Sequence, residues 1–291
     1  MEKDQIIILE NRGLISVTGK DAKDYLQNII TNDIHKVSNS HSIFAALLSP
    51  QGKYLFDFFV IKDQEGYLLD CEGSSSKELI NNLSKYKLRS KVEIKDLTAN
   101  YVVGIVNFEN FKSLQKELNI DESTLRYRES PVFIDPRDND LGARIISPLE
   151  KLYLTIKKLN LKIVENKSYL EKGFLKGIPI EGLNNLQNQL FGLEINFEKL
   201  NAIDFKKGCY VGQENTARMK LKNKIRRQLM SIKTEKNVKI GDEIKYNDSV
   251  IGRILIDKPY PFALIKLFDP EFSVFKDKKL KINSNNVEII S

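Results

Sequence analysis

Short strand patterns and amphipathic helix patterns alternate through the first 225 residues of this 291-residue chain. Apolar, β-prone runs predict strands at 6–9, 14–17, 42–48, 54–61, 67–71, 92–97, 101–106, 131–135 and 161–164. Helical spacing of apolar residues predicts helices at 22–30, 75–87, 111–118 and 149–159. Because no long parallel alternation connects these elements, their order predicts α+β subdomains of ferredoxin-like type, with antiparallel sheets covered on one face.

The start of the first helix carries a local signal. Thr18 is followed three residues later by Asp21, a spacing typical of a capping box, in which side chains satisfy the free amides of the first turn. We therefore expect the helix to be capped at Thr18.

The pattern changes near residue 226. Short β-prone runs at 229–232, 243–246, 249–256 and 262–267 follow at close intervals, with turn residues at Gly241 and Asn247. Close antiparallel strands without helices are typical of a small barrel. The sequence therefore predicts a C-terminal β-barrel over 226–291.

Composition limits the class of protein and of site. With 41% hydrophobic and 29% charged residues, and no run of about 18 apolar residues, we expect a cytoplasmic protein without a membrane span. Its two cysteines, Cys71 and Cys209, lie far apart and are accompanied by two histidines, which makes a disulfide framework or a four-ligand zinc site improbable. A metal centre would have to be shared with a partner.

The net charge of +7 indicates an anionic partner, which could be nucleic acid, a polyanionic cofactor or an acidic protein. The charge is concentrated around Cys209, from Lys206 to Arg227. Gly208 and Gly212 bracket the cysteine and predict a bend, and a helix is expected to begin just after it. Positive charge and a helix N-terminus both lower a thiol pKa, so Cys209 is predicted to be reactive. The alternative is a small buried residue.

Asp57 is the only charged residue inside the predicted strand 54–61. A carboxylate in an apolar run either faces solvent through the two-residue alternation of a strand, or has a functional reason to be there. The sequence alone does not decide between these two interpretations of Asp57. No phosphate-binding GxxxxGK[ST] or GxGxxG motif occurs.

Several motifs together resemble one known family. They are KGCYVGQE at 207–214, TAR at 216–218, LQNIITND at 26–33, KLRSKV at 87–92, DPR at 135–137, LGAR at 141–144, GIP at 177–179, LEINFEKLNAIDF at 193–205 and GRIL at 252–255. In this order they resemble the folate-binding YgfZ family, relatives of the glycine-cleavage T-protein. The DPR and LGAR motifs are more similar to its mitochondrial iron–sulfur assembly branch and the bacterial relatives of that branch.

The resemblance implies a cloverleaf of two interleaved ferredoxin-like subdomains, at about 1–50 with 136–225 and at 51–135, followed by the barrel at 226–291. It also implies a tetrahydrofolate-binding protein that assists assembly or maintenance of [4Fe-4S] clusters in client enzymes, among them tRNA-modifying methylthiotransferases. The implied partners are folate, assembly proteins such as A-type carriers, and client proteins. A transient cluster would be shared with such a partner.

The same resemblance assigns roles to residues. Cys209 matches the functional cysteine of the family, and its motif neighbours are Lys207, Gly208, Tyr210, Gly212, Gln213, Glu214 and Arg218. Asp57 falls where the T-protein has its catalytic carboxylate. Tyr169 stands near the position where some relatives have an aromatic residue that could stack on a pterin, and Arg12 occupies a position where relatives can have Trp. Phe56 replaces the first acid of the T-protein's tandem pair, which argues against glycine-cleavage chemistry.

The sequence leaves two functions open and argues against a third, which is RNA binding. The motifs favour an assembly factor that acts through partners, with Cys209 as a shared cluster ligand, because one cysteine cannot hold a cluster alone. The alternative is a folate-dependent one-carbon, aminomethyl-type transferase that uses Asp57. Direct nucleic-acid binding is not expected, because the basic stretch lacks interleaved aromatic residues for base stacking.

Overall fold

The computed structural model describes residues 2–222, 224–283 and 285–290. The chain forms two compact units. The first consists of Met1–Leu48, Phe56–Ser168 and Lys199–Val211, and the second of Ser49–Leu55, Tyr169–Glu198 and Gly212–Ser291. The predicted division of residues 1–225 near 50 and 135 stays a prediction.

Eleven strands precede residue 165 in the described part of the chain: β1 (Gln5–Leu9), β2 (Arg12–Thr18), β3 (Ile43–Leu48), β4 (Tyr54–Lys62), β5 (Gly66–Glu72), β6 (Glu93–Asp96), β7 (Val102–Val106), β8 (Thr124–Tyr127), β9 (Ser130–Ile134), β10 (Ala143–Ser147) and β11 (Lys162–Val164). They form a five-stranded sheet in the order β3-β4-β5-β2-β6 and a six-stranded sheet in the order β11-β1-β7-β10-β9-β8. The predicted α+β class is confirmed, and the described pairings of these sheets are antiparallel except for that of β1 with β11, which is parallel. Strands β8 and β10 were not predicted.

The helices of this part are α1 (Ala22–Ile29), α2 (Ser76–Lys87), α3 (Phe108–Leu118) and α4 (Leu149–Lys158). The six-stranded sheet packs its apolar face against α3 and α4, where Phe111 and Leu152 are fully buried. Burial of each such side chain stabilises the fold by about 1.5–3 kcal/mol. The apolar spacing that predicted these helices is therefore the spacing of their buried faces.

The predicted cap of α1 is wrong. Its N-cap is Asp21, because Thr18 is the last residue of β2 and pairs with Gly66 and Glu93 in the sheet. Gly19, with φ of +107°, then turns the chain. Asp21 itself accepts a hydrogen bond from the backbone amide of Lys91 at 2.7 Å. Strand pairing thus outweighs the local capping signal.

The second unit contains helix α5 (Lys167–Leu175, whose first two residues belong to the first unit), α6 (Gln213–Leu221) and α7 (Phe272–Phe275). Its barrel strands are β12 (Arg227–Thr234), β13 (Glu243–Tyr246), β14 (Ser249–Ile256), β15 (Phe262–Lys266), β16 (Leu280–Ile282) and β17 (Asn285–Ile290). They close in the order β12-β15-β14-β13-β16-β17 around a core that includes Ile232, Ile244 and Phe275. The predicted C-terminal barrel is confirmed.

None of the helices in the described ranges combines the length and apolar composition that a transmembrane span requires.

Candidate functional site

The cysteine motif is attached to the carboxyl end of α1 by Lys207. Its ammonium nitrogen donates to the carbonyl oxygens of Gln27 at 2.7 Å, Ile30 at 2.6 Å and Asn32 at 3.0 Å. The last carbonyls of a helix have no partner within the helix, and a cation there also interacts favourably with the helix dipole. Lys207 thus satisfies three acceptors that would otherwise be open.

The environment of Lys207 is unusual for a lysine, because only 8% of the residue is exposed. Burial lowers its pKa from the ordinary value to about 8, against the opposing charges of Asp33 and Asp204. The ammonium also lies 5.0 Å from the centroid of the Tyr210 ring, a cation–π distance. Two motif residues are therefore packed inside the first unit rather than presented at its surface.

Further bonds fix the segment that leads into the motif. Thr31 donates its hydroxyl to the carbonyl of Ala202 at 2.6 Å, and the Asn32 amide donates to the carbonyl of Asn201 at 2.8 Å. An ion pair of 2.8 Å joins Lys36 to Asp204. Hydrogen bonds thus hold the segment 201–211 against the motif LQNIITND at 26–33.

The two thiols lie in opposite environments. Cys209 is exposed, in the loop between buried Lys207 and buried Tyr210. Cys71 is buried in β5, where its thiol donates to the carbonyl of Gly13 at 3.6 Å, and burial raises its pKa to about 12. Cys71 is therefore the small buried residue, and Cys209 is the cysteine with the accessible thiol.

The motif continues into α6 of the second unit. Gly212 is the N-cap of this helix, with φ of +81°, and Glu214 forms an ion pair with Arg218 one turn later. The turn before β4 holds the first turn of α6, since the Asn215 amide donates to the carbonyl of Gln51 at 2.7 Å. Gly52, also at φ of +81°, leaves no room there, because a Cβ would lie 3.0 Å from the carbonyl oxygen of Gly212.

Asp57 is half-buried on β4. Within this strand Phe59 pairs with Asp70 of β5, and residues two apart along a strand share a face. Asp57 and Phe59 therefore lie on the face that carries Asp70. Burial lowers the pKa of Arg12, but the charge of Asp70 and, more weakly, those of the Cys71 thiol and Asp57 raise it above its ordinary value. Two predicted site residues, Asp57 and Arg12, thus lie in the same first unit and interact electrostatically.

A buried network of ion pairs, centred on Asp70, lies on the face of the five-stranded sheet that carries Asp57 and Phe59. Asp70 is fully buried and accepts from Arg12 Nε at 2.6 Å and from Arg144 Nε at 2.9 Å. Burial raises the pKa of Asp70, but the two guanidinium charges outweigh it and hold the pKa below its ordinary value. Since Arg144 comes from β10 and Arg12 from β2, Asp70 joins the two sheets of the first unit.

The network extends through the DPR motif. Arg137 forms a two-point bond with Asp135, at 3.0 Å and 2.8 Å, and Arg144 lies 3.9 Å from the same carboxylate. The Phe59 ring lies beneath Arg144, Arg137 and Arg12, whose guanidinium carbons are 4.2, 4.9 and 6.0 Å from its centroid. The sequence motifs DPR and LGAR do not point to Asp70, although a carboxylate inside the predicted strand 67–71 is a usable signal.

Tyr169 lies in the second unit, on α5, and is 3% exposed. It therefore belongs to a different compact unit from Asp57 and Arg12. In the described ranges, no group of three or more His, Cys, Asp or Glu side chains is arranged to hold a metal ion.

The sequence is similar to one domain family and to several curated proteins. The model of the GCVT N-terminal domain matches residues 5–107. A mitochondrial iron-sulfur cluster assembly factor IBA57 homolog of Dictyostelium discoideum is 29% identical in an alignment of 273 residues that covers 83% of this chain and 66% of that protein. The tRNA-modifying protein YgfZ of Buchnera aphidicola subsp. Baizongia pistaciae is 32% identical in an alignment of 255 residues that covers 83% of this chain and 77% of that protein.

The chain spans 55–66% of the length of three mitochondrial IBA57 homologs that it matches. Among solved structures, glycine cleavage system aminomethyltransferase T from Bartonella henselae superposes with a TM-score of 0.75 at 12% identity, over 99% of this chain and 85% of that one. At this identity the superposition establishes a shared T-protein fold.

Proposed function

Because this chain belongs to the YgfZ family of glycine-cleavage T-protein relatives, we propose that it assists the assembly or maintenance of [4Fe-4S] clusters in client enzymes. The observation that carries the proposal is the exposed thiol of Cys209, on a loop anchored by buried Lys207. The names of relatives as iron-sulfur cluster assembly factors support it.

Cys209 would act as a ligand for a cluster in transit. Iron–sulfur clusters are held by cysteine thiolates, usually four of them, so one thiol occupies a single ligand position. A carrier or client protein must supply the other ligands, and A-type carriers are suited to this exchange. The anchored loop would keep the thiol in one place while ligands exchange.

We further propose that tetrahydrofolate binds at the face that carries Asp57. The donor set fits such a ligand, because a half-buried carboxylate can accept hydrogen bonds from a pterin's N–H groups and interacts electrostatically with the Arg12 guanidinium. When bound, tetrahydrofolate carries one-carbon units. Asp57 and Arg12 would bind and orient it, and the Asp70 network would hold Arg12 in place.

The clients would include tRNA-modifying methylthiotransferases, a link supported by the name of the Buchnera relative. A cytoplasmic location stays a prediction, and the IBA57 homologs are named as mitochondrial.

The test is complementation of cells that lack this protein, with Cys209→Ser compared against wild type. We expect wild type to restore the activity of [4Fe-4S] enzymes and Cys209→Ser to fail while folding normally. Cys71→Ala is the matched control, because it removes the buried thiol. Full client activity with Cys209→Ser would refute the role of the thiol.

The T-protein fold also supports a second function, a folate-dependent one-carbon transferase. Purified protein would then consume a methylene-tetrahydrofolate donor, and Asp57→Asn would abolish that turnover. Turnover that survives Cys209→Ser and is lost with Asp57→Asn would favour the transferase over the assembly factor.

A further inference from the structure

The barrel unit contains a basic cavity that the proposed function does not use. It has a volume of about 590 Å³ and is lined by Lys224, Arg226, Arg227, Lys266, Phe268, Asp269 and Glu271. We call these seven residues the barrel groove. Four cationic side chains face two carboxylates, so the groove carries a positive excess and is suited to an anionic ligand.

Most of this positive charge is available to a ligand. Arg227 is paired with Glu194 at 2.9 Å. By contrast, across residues 2–222, 224–283 and 285–290 no ion pair forms with the side chains of Lys224, Arg226 or Lys266, which are exposed. Bringing three unpaired cations together is unfavourable without an anion between them.

Strand pairing holds the groove in shape. Arg227 of β12 is directly opposite Lys266 of β15, and the backbone amide of Leu267 donates to the carbonyl of Arg226 at 2.8 Å. Phe268 follows two residues after Lys266 and is 42% exposed. An exposed aromatic ring therefore lies beside cations on a rigid edge of the barrel.

We propose that the barrel groove binds single-stranded nucleic acid, with phosphates at Lys224, Arg226 and Lys266 and a base stacked on Phe268. Cations that follow the backbone, combined with an aromatic platform, are the features by which proteins bind single strands. The expectation against nucleic acid rested on the lack of aromatics within the basic stretch. The fold brings Phe268 to that stretch from about forty residues further along the chain.

The carboxylates of the groove favour nucleic acid over an acidic polypeptide. Asp269 and Glu271 can accept hydrogen bonds from the exocyclic amino groups of bases. Polyglutamate, the simplest acidic polypeptide, has neither an exocyclic amino group for these carboxylates nor a flat ring to place on Phe268.

The test uses the full chain and a fluorescein-labelled single-stranded RNA of about twelve nucleotides of mixed sequence, followed by fluorescence anisotropy over a salt series. We expect Lys224→Glu with Arg226→Glu to weaken binding at least tenfold. The slope of log affinity against log salt should fall by about 1.4, since each phosphate contact on a single strand contributes about 0.7.

Phe268→Ala separates stacking from charge. It should weaken binding about fivefold or more and leave the salt slope unchanged, because it removes no cation. The matched control is Lys236→Glu with Lys239→Glu, which makes the same change in charge on exposed residues beyond the opposite end of β12. The control should alter affinity less than twofold.

Two results would overturn the proposal. Equal weakening by the groove and control variants would mean that net charge alone attracts RNA. Competition by polyglutamate as strong as by unlabelled RNA, with no effect of Phe268→Ala, would assign the groove to an acidic polypeptide. Thermal unfolding of each variant checks that the barrel is intact. None of these measurements depends on Cys209 or on folate, so the proposed function can fail independently.

Discussion

The ammonium nitrogen of Lys207 lies 2.6 Å from the carbonyl oxygen of Ile30, the C-cap residue of helix α1. Lys207 also donates to the carbonyl of Gln27, 180 positions before it in the sequence, so a lysine of the cysteine motif bonds carbonyl groups at the end of α1. The accessible thiol two residues later is therefore positioned by a buried charge, not by the cysteine itself.

Replacing Lys207 with Met should destabilise the protein by about 2–3 kcal/mol. The change leaves three carbonyl acceptors without their charged donor, and buried acceptors that lose a partner are costly. Urea unfolding measures the change. Lys206→Met is the matched control, because Lys206 is exposed, and its effect should stay within about 0.5 kcal/mol.

Lys207 also predicts a pH dependence of stability. Its folded pKa is about 8, lowered mainly by burial from 10.5, so between these pH values the unfolded chain holds a proton that the folded chain has released. Stability due to this group therefore rises with pH across that window, and is constant below it. The free energy of unfolding of wild type minus that of Lys207→Met should increase from pH 8 to 10.5. A constant difference would contradict the lowered pKa.

Asp70→Asn should destabilise the first unit by about 3–5 kcal/mol, because it leaves Arg12 and Arg144 without their buried counter-charge. Chemical denaturation at neutral pH measures this loss. Glu93→Gln, on the exposed edge strand of the same sheet, is the control and should cost less than about 1 kcal/mol.

The same carboxylate predicts behaviour in acid. The folded pKa of Asp70 is depressed, so its stabilising contribution is complete above the ordinary value of 3.8 and is lost as pH falls through the depressed one. The stability difference between wild type and Asp70→Asn should therefore narrow only in that acid range. If the difference in unfolding free energy between wild type and Asp70→Asn already narrows between pH 7 and 5, a group other than Asp70 is responsible.

The two cysteines should differ sharply in alkylation. Near neutral pH, iodoacetamide should modify Cys209 in the folded protein and spare Cys71, which is buried and has a pKa raised to about 12 by that burial. Mass spectrometry of the peptides distinguishes the two sites. Cys71 should react only after denaturation. Modification of Cys71 before Cys209 would contradict the exposure of Cys209.

Tetrahydrofolate should raise the thermal stability of the protein, by about 2.7 kcal/mol of unfolding free energy at a hundred times its dissociation constant. Asp57→Ala should weaken the binding that calorimetry measures. Asp63→Ala is the control, because this half-exposed carboxylate lies just beyond β4 and is paired with Arg126. An unchanged affinity for Asp57→Ala would return that residue to a structural role.

Local signals were sufficient for much of the fold. The boundaries of β13 and β14 agree with the apolar runs at 243–246 and 249–256, because alternation and turn residues act within a few positions. Strand β10 was missed, since its run from Ala143 includes Arg144, a charged residue that reads locally as a break. Its charge is tolerated only because Asp70 lies opposite, a pairing of residues 74 positions apart.

The site shows the same limit. The exposed cysteine and the neighbouring basic residues could be read from the sequence, but the partners of Lys207 and Asp70 come from distant segments that local patterns do not connect. The place of Phe268 beside Lys224 likewise depends on the closure of β12 against β15.

The bonds from Thr31 and Asn32 to residues 201 and 202 also have a consequence during synthesis. A nascent chain released from the ribosome before this point carries α1 with its last carbonyls open and has not yet acquired Cys209. Cys209 is synthesised only after Lys207, the residue whose ammonium group bonds the carbonyls at the carboxyl end of α1. A truncated translation product therefore lacks the exposed thiol of Cys209, and each chain that carries this thiol also carries the segment that restrains it.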